Sequence, residues 1–281
     1  MTEPAGHQRV SGDGNVTIGA ARDVTIIHPA APLPAAASEP EFPVWPSDGA
    51  DGVPVVPRFF VGRDELLDRI AGAAVGVLTQ TIAGLGGVGK TSVAAAYARR
   101  CRHLFDVVWW VRAETELSIS NDLARLASRL GLPEDDDPVD SARRALGWLG
   151  VTERRWLIVF DNATNEQALA PWLPGGGNGQ ALVTTRNRNF DRVGALVDID
   201  TLPHEVATGF LHARVAERNP AAATDPDAAL VAQRLGGLAL ALEMAGAWVA
   251  RNPTRTWAAY LELHRGAGDP FRSGTGRSTT P

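Results

Sequence analysis

A glycine-rich segment that contains the only lysine of the chain is the part of this sequence best suited to chemistry. Lysine occurs once among the 27 Lys and Arg residues, at Lys90. Residues 84–91 have the sequence G-L-G-G-V-G-K-T and match the pattern G-x-x-x-x-G-K-T. Glycines let backbone N–H groups converge on an anion, and a helix that follows adds the positive end of its dipole. The segment therefore predicts a loop that binds phosphate groups.

The residue types inside this loop fit a nucleoside di- or triphosphate. The compact ammonium of Lys90 fits between the β- and γ-phosphates, whereas a planar guanidinium is too wide for such a tightly wrapped loop. The hydroxyl of Thr91 is placed to hold Mg²⁺. The alternative, a glycine-rich turn that merely precedes a helix, is disfavoured by the motifs described next. The predicted nucleotide contacts in this segment are Gly84, Gly86, Gly87, Val88, Gly89, Lys90, Thr91 and Ser92.

Two charged residues follow apolar runs that have the character of buried strands. Asp161 comes after the run 157–160, and the carboxyl end of a strand is the edge where open α/β sheets bind ligands. We predict that Asp161 holds Mg²⁺ through water and has a catalytic role, although an aspartate here can also simply start a loop or cap a helix. Arg186 follows the run 181–185, and we predict that it reaches the γ-phosphate and so distinguishes ATP from ADP. The alternative for Arg186 is an ordinary surface arginine.

The elements that must position these residues alternate between strands and helices. This alternation predicts an α/β fold, with a parallel sheet covered by helices on both faces. Beyond Leu202 the pattern becomes entirely helical, which predicts a small all-helical subdomain. The predicted strands are 75–82, 107–111, 156–160, 181–185 and 197–199, and the predicted helices are 91–101, 119–130, 142–149, 205–218, 227–235, 238–251 and 254–264.

Composition is that of a soluble globular protein, with 44% apolar and 21% charged residues. The net charge of −5 gives no overall electrostatic footprint for nucleic acid, so we do not expect that partner. The single Cys101 excludes an internal disulfide, which fits a reducing compartment. No apolar run approaches the roughly 18 residues of a membrane span, and no signal peptide pattern begins the chain. We therefore expect a cytoplasmic protein without a membrane partner.

The predicted organisation has five parts. A nucleotide-binding domain over 58–201 is followed by a helical subdomain over 202–265. An Ala/Pro-rich linker is predicted over 29–57, and a tail of low complexity over 266–281. The first part, 1–28, contains a possible signalling motif that is treated last.

Taken together, these motifs resemble the NB-ARC branch of the STAND ATPases, which are signalling switches of plant resistance and apoptosis proteins and of many bacterial regulators. The resemblance covers about 57–265 and is carried by the phosphate loop and by the segments 59–65, 108–112, 161, 184–186 and 235–242. It implies a P-loop NTPase sheet with ADP or ATP and Mg²⁺ as cofactors. It also implies adenine contacts from Val61, Gly62, Arg63, Leu238 and Ala239.

The chain departs from the family pattern at three points. Asn162 stands where the family often has a second acid, and an amide cannot take a proton, so we expect slow hydrolysis. Ala239 stands where the family usually has a proline near the adenine. The family's winged-helix subdomain with its M-H-D segment has no counterpart, so we expect a truncated member or the nucleotide-binding portion alone.

Adenine is favoured over guanine without recourse to the family. Guanine recognition of the Ras type uses an N-K-x-D segment, and Lys90, the only lysine, belongs to the phosphate loop. The leading function is an adenine-nucleotide switch that forms a homo-oligomer when ATP is bound. Two alternatives stay open at this point: a conventional ATPase or kinase, for which no substrate motif is present, and a fragment of an ATPase-linked transcriptional regulator.

The N-terminal part carries a short repeat. The sequence N-V-T-I at 15–18 is followed by D-V-T-I at 23–26, and each unit alternates polar and apolar residues as a half-buried strand does. The pair resembles amyloid signalling motifs at the N-termini of some bacterial NB-ARC proteins, in which Val and Ile form dry interfaces between chains. The resemblance implies an effector protein with a matching motif as partner. The alternative is a disordered tail or an incidental hairpin.

Overall fold

The structure is a computed structural model, and it describes residues 42–45, 52–54, 62–72, 75–80, 87–133, 135–187, 189–190 and 192–266. The side chains of 75–80 and 264–266 are not part of this description. Three predicted nucleotide contacts, Val61, Gly84 and Gly86, therefore lie outside the described residues, as do the motif within 1–28 and nearly all of the tail 266–281. All described residues belong to one compact unit, Ser38–Pro281.

Strands and helices alternate along the first two-thirds of this unit, as predicted. The strands are β1 (Val75–Gln80), β2 (Val107–Arg112), β3 (Trp156–Ala163), β4 (Gly179–Thr185) and β5 (Ala195–Ile199). Helix α1 (Asp64–Ala71) precedes β1. The helices between the strands are α2 (Lys90–Arg100), α3 (Glu116–Arg129), α4 (Pro138–Val151) and the short α5 (Glu166–Leu169). Helices alone follow: α6 (His204–Val215), α7 (Asp227–Arg234), α8 (Ala239–Ala250) and α9 (Trp257–Gly266).

The five strands form one parallel sheet in the order β2-β3-β4-β1-β5, which confirms the predicted fold class. Strand β4 lies between β1, which leads to the phosphate loop, and β3, which leads to Asp161. Because all strands are parallel, their carboxyl ends meet at one edge. The order therefore brings Arg186, at the end of β4, between the phosphate loop and Asp161.

Helices cover both faces of the sheet and bury it completely in its centre. Helices α3 and α4 pack on one face around Leu123 and Leu149, while α1 and α2 pack on the other around Ile70 and Tyr97. Residues 157–160 are all fully buried, because neighbours in a strand point to opposite faces and both faces are covered. This double coverage explains why the strands appear in the sequence as continuous apolar runs.

The last four helices have a core of their own. Its centre is Trp257, which is fully buried and donates its indole N–H to the carbonyl of Ala222 at 2.8 Å. Asn219 is also buried, and its amide donates to the carbonyl of Arg255 at 2.8 Å. The helical part therefore has a hydrophobic core of its own.

Two short stretches of the predicted linker pack on the sheet instead of running free. Val44 forms an isolated parallel bridge with Val107 and is 2% exposed, so it covers part of the edge strand β2. Phe42 stacks on Trp148 with a ring distance of 6.5 Å, and Val53 is buried in the core beneath α1 and α2. The predicted linker over 29–57 is therefore corrected for 42–45 and 52–54. Val44 and Val53 in these stretches are buried in the domain.

Candidate functional site

The end of the phosphate loop has a backbone that only glycine adopts easily. Gly87 has a φ of 95° and Gly89 a φ of 94°, both in the left-handed region, and helix α2 begins at the next residue, Lys90. A Cβ atom on Gly87 would lie 2.9 Å from the Cβ of Leu240, in the first turn of α8. The N–H of Leu240 also donates to the carbonyl of Gly87 at 2.9 Å. The helical part therefore contacts the phosphate loop directly.

Lys90 is partly buried beside charged side chains of both signs. Burial lowers the pKa of Lys90 below its ordinary value, and the positive charge of Arg186 lowers the pKa further. The carboxylate of Asp161 acts in the opposite direction. Two cations that repel each other across a partly desolvated site favour an anion between them, since such an anion restores the charge balance for both. Polyphosphate is the chemistry that fits this arrangement.

Asp161 is held by two hydroxyl groups from different elements. Its Oδ1 accepts from Thr91 Oγ1 at 2.9 Å and from Thr184 Oγ1 at 2.5 Å. Thr184 is 1% exposed, so its hydroxyl is fixed inside the sheet and orients the carboxylate toward α2. The predicted pairing of Thr91 with Asp161 thus has a geometric basis, and Thr184 is an additional positioning residue.

The donor set around Asp161 suits a hard divalent cation. Mg²⁺ prefers oxygen ligands and in nucleotide sites takes only one or two from the protein, the remainder coming from phosphate and water. A threonine hydroxyl and a carboxylate within 2.9 Å of each other supply that number. Thr91 and Asp161 are therefore the residues that would hold the ion.

Arg63 forms a hydrogen bond to the end of the phosphate loop. Its guanidinium donates to the carbonyl of Val88 at 2.9 Å and to that of Asp200 at 3.2 Å. The residue is only 9% exposed, and burial lowers the pKa of Arg63 while Asp200 opposes that shift. Arg63 thereby ties the loop to the turn that follows β5. The role predicted for it was an adenine contact, and the structure adds this bridge.

We expect Arg63→Ala to lower the free energy of unfolding by roughly 1–3 kcal/mol, because a buried carbonyl loses its donor. Arg63→Lys should recover only part of that loss, because the ammonium keeps the charge but its shorter, non-planar side chain does not place the donor where the guanidinium nitrogen lies between the two carbonyls. Urea unfolding measures both effects. Arg69→Ala, on the exposed last turn of α1, is the matched control. An Arg63→Ala protein as stable as this control would contradict the bridge.

A cavity of about 420 Å³ opens at this edge of the sheet, between the phosphate loop and the helices α6 and α8. Its lining unites most of the described residues that the sequence predicted for the nucleotide: Arg63, Gly87, Val88, Gly89, Lys90, Thr91, Ser92, Arg186 and Ala239. Asp161 stands just behind, bonded to Thr91 and Thr184, which do line the cavity.

Two predicted contacts are placed elsewhere. Gly62 faces Val206 of α6, and a Cβ atom there would lie 2.6 Å from Val206 Cγ1. Leu238 is 8% exposed and packs in the core shared with α1 and α2. Neither residue is among those that line the cavity.

Six lining residues were not among the predicted contacts. Asn162 and Thr184 come from the sheet, and four come from the helical part: Leu202, Phe210, Leu240 and Glu243. The first three of these four are apolar. They give the cavity an apolar wall next to its cationic end, as a flat base attached to a polyphosphate requires. The sequence predicted the helices that carry Phe210, Leu240 and Glu243 but did not indicate which of their faces meets the phosphate loop.

One further pair of side chains lies at the same edge. Asn162 has a φ of 62°, an uncommon left-handed conformation for a residue other than glycine. Its side-chain amide donates to Glu114 Oε1 at 2.7 Å, and its backbone N–H donates to Thr184 Oγ1 at 2.9 Å. Glu114 follows strand β2 by two residues and is exposed. The sequence analysis did not single out Glu114, although its position just beyond a strand end was a usable signal.

Comparison with known proteins identifies the family of the chain. The model of the NB-ARC domain matches residues 64–219, which is more than half of the chain. The chain therefore belongs to the NB-ARC family, and the predicted identity as an NB-ARC/STAND-type P-loop ATPase is confirmed.

Individual relatives include a regulator and an NLR-like protein. Regulatory protein AfsR of Streptomyces griseus is 36% identical over 216 residues, which cover 70% of this chain and 21% of that protein. A nucleotide-binding leucine-rich repeat (NLR)-like protein of Hyaloscypha variabilis is 26% identical over 234 residues, covering 73% and 23%. The chain thus spans about a fifth of the length of these relatives.

Among solved structures, Cdc6p of Pyrobaculum aerophilum has a TM-score of 0.51 at 13% identity, covering 75% of this chain and 65% of that chain. At this identity the likeness supports the fold alone. Of the helices that the structure describes, none is both long and apolar enough to cross a membrane.

Proposed function

We propose that this chain is an adenine-nucleotide switch of the NB-ARC/STAND type, which binds ADP and ATP with Mg²⁺ and hydrolyses ATP slowly in bacterial signal transduction or defence. The observation that carries the proposal is the composition of the cavity wall. Lys90 and Thr91 come from the sheet domain, whereas Leu240 and Glu243 come from helix α8. A ligand between two bodies can bias their arrangement, provided that it binds one arrangement better than the other.

The roles of the residues follow from their chemistry. Lys90 and the backbone N–H groups at the start of α2 bind the phosphates. Thr91 and Asp161 hold Mg²⁺, which neutralises charge on the phosphate oxygens when it is bound. Thr184 fixes the orientation of Asp161, and Arg186 provides a second cation at the end of β4.

The apolar end of the cavity supports adenine as the base. Phe210 and Leu202 line this end of the cavity and are only 5% and 7% exposed, so their side chains are packed into the helical part. The N-K-x-D segment of Ras-like guanine recognition requires a lysine that the chain does not have beyond Lys90. The purine is therefore selected by shape and apolar contact instead of by that segment.

Arg186→Ala is expected to weaken ATP binding more than ADP binding, because only ATP presents a γ-phosphate. One charge-assisted contact contributes about 1.5–3 kcal/mol, or roughly 10- to 150-fold in affinity. Calorimetric titration of both nucleotides, with Arg129→Ala on the exposed last turn of α3 as control, measures the difference. Equal losses for ATP and ADP would reduce Arg186 to a general anion contact and remove the sensing role.

Partners of the switch follow from the same proposal. We infer that ATP favours a homo-oligomer and that cytoplasmic effectors respond to it, through the motif predicted within 1–28, which lies outside the described residues. The similarity to regulatory protein AfsR supports a second candidate role for this chain, as part of an ATPase-linked transcriptional regulator. Tight retention of ADP through purification favours the switch, rapid unassisted turnover favours an ordinary ATPase, and salt-dependent binding to DNA favours the regulator.

A further inference from the structure

The structure points to Glu114 as the carboxylate that activates water for ATP hydrolysis, with Asn162 as the residue that positions it. This inference rests on the proposed nucleotide site and extends it. At position 162, where an acid would be expected, the chain has an amide that cannot accept a proton. The neighbouring strand supplies a carboxylate instead, and the two side chains are joined at 2.7 Å.

The backbone fixes Glu114 beside the metal-binding carboxylate. Strands β2 and β3 are parallel neighbours in register, with Arg112 opposite Asp161. The N–H of Ala113 continues this pairing by donating to the carbonyl of Asp161 at 2.7 Å. Glu114 is the next residue, so it lies at the carboxyl edge of the sheet. Strand β3, which leads to Asp161, is next to β2, and β4, which leads to Arg186, is one strand further along the sheet. Its carbonyl also accepts from Thr164 Oγ1 at 3.3 Å.

The conformation of Asn162 serves to make this pair. The ladder between β3 and β4 shifts register between Phe160 and Ala163, and Asn162 lies in that irregularity with its φ of 62°. A left-handed conformation is unfavourable for residues other than glycine and persists where surrounding contacts determine it. Here the contacts are the backbone bond to Thr184 and the side-chain bond to Glu114. Because a carboxylate only accepts, the atom of Asn162 that meets Glu114 is its NH₂ group.

Asn162 also lines the cavity, so the pair extends from the nucleotide site to an exposed carboxylate that water can reach. In the step, the oxygen of a water molecule forms a bond to the γ-phosphorus, and the bond from that phosphorus to the oxygen bridging to the β-phosphate breaks. The electron pair of the broken bond leaves with ADP. The proton released by the water moves to the carboxylate of Glu114, and the products are ADP and inorganic phosphate.

Glu114→Gln separates this role from a structural one. The amide oxygen of glutamine still accepts the bond from Asn162, so the loop geometry is retained while the proton acceptor is lost. We expect ATP and ADP affinities within about twofold of the parent and a single-turnover hydrolysis rate lower by roughly 10²- to 10⁴-fold. Glu116→Gln, the same change two residues further on at the exposed start of α3, is the matched control and should hydrolyse at the parental rate.

Asn162→Asp is the second variant, because it puts an acid at the position expected from the family. It should hydrolyse more slowly than the parent, since two carboxylates in contact repel each other and Glu114 loses its donor. A faster Asn162→Asp protein would overturn the inference by making 162 the water-activating position. A Glu114→Gln protein with parental hydrolysis, or a parent that binds ATP without hydrolysing it, would also overturn it. If the folded parent binds no nucleotide, the proposed function itself fails, and calorimetry identifies that case.

Discussion

Lys90→Ala is expected to weaken the binding of both ATP and ADP by roughly 10- to 150-fold for each contact that is lost. One charge-assisted contact contributes about 1.5–3 kcal/mol. The physical reason is that Lys90 is the cation placed at the start of α2, next to the left-handed Gly89. Removing it leaves Arg186 as the nearby cation of the site and relieves their repulsion. The fold should therefore survive, and the melting temperature without nucleotide should not fall.

Lys90→Arg tests whether shape matters in addition to charge. A guanidinium keeps the positive charge but is broader and planar, so the tight loop should not accommodate it beside the phosphates. We expect its nucleotide affinity to stay close to that of Lys90→Ala in calorimetric titrations. If Lys90→Ala binds ATP and ADP as the parent does, the phosphate-loop assignment is wrong.

Asp161→Asn is expected to remove most of the effect of Mg²⁺ on ATP binding. The substituted amide keeps an oxygen that accepts from Thr91 and Thr184, so the local hydrogen bonds persist while the negative charge is lost. Changes in the groups that support a bound metal commonly cost about 10- to 100-fold in metal affinity, and we expect a loss of that size.

The measurement is a titration of ATP in the presence of Mg²⁺ and again with a chelator. The parent should bind ATP more tightly with Mg²⁺, whereas Asp161→Asn should show little difference between the two conditions. Asp140→Asn, on the exposed first turn of α4, is the control. A variant that retains the full Mg²⁺ effect would show that Asp161 is not a ligand of the ion, either directly or through water.

Much of the fold could be predicted because its strands are buried on both faces. Such strands stand out as apolar runs, and the predicted starts and ends for β2 to β5 lie within a few residues of the observed ones. The proximity of Thr91 and Asp161 was also predictable, since a G-K-T segment and an aspartate after an apolar run each have a fixed place relative to a strand. The structure brings Thr91 and Asp161 within hydrogen-bonding distance although they are 70 residues apart.

Contacts between neighbouring strands were not predictable, because periodicity defines a strand but not its neighbours. The order of the sheet decides that β4 separates β1 from β3 and that β2 lies beside β3. Glu114 meets Asn162 only because of that order. The same reason explains why the apolar wall from α6 and α8 was missed. A helical pattern in the sequence predicts a helix but not the elements against which it packs.

The N-terminal repeat stays a prediction. Its two units lie outside the described residues, and the first described stretch, 42–45, already packs on the sheet.

Hydrogen exchange with and without nucleotide separates a switch from a simple nucleotide-binding domain, because it follows the sheet domain and the helical part in one experiment. We expect ADP to slow exchange both at Gly87–Ser92 and in the first turns of α8, including the N–H of Leu240 that donates to the carbonyl of Gly87. We also expect Mg²⁺ with a non-hydrolysable ATP analogue to give a different exchange pattern in α6 and α8 from that of ADP. Protection confined to the phosphate loop, or identical patterns for the two nucleotides, would contradict a switch that works by holding nucleotide between the two parts.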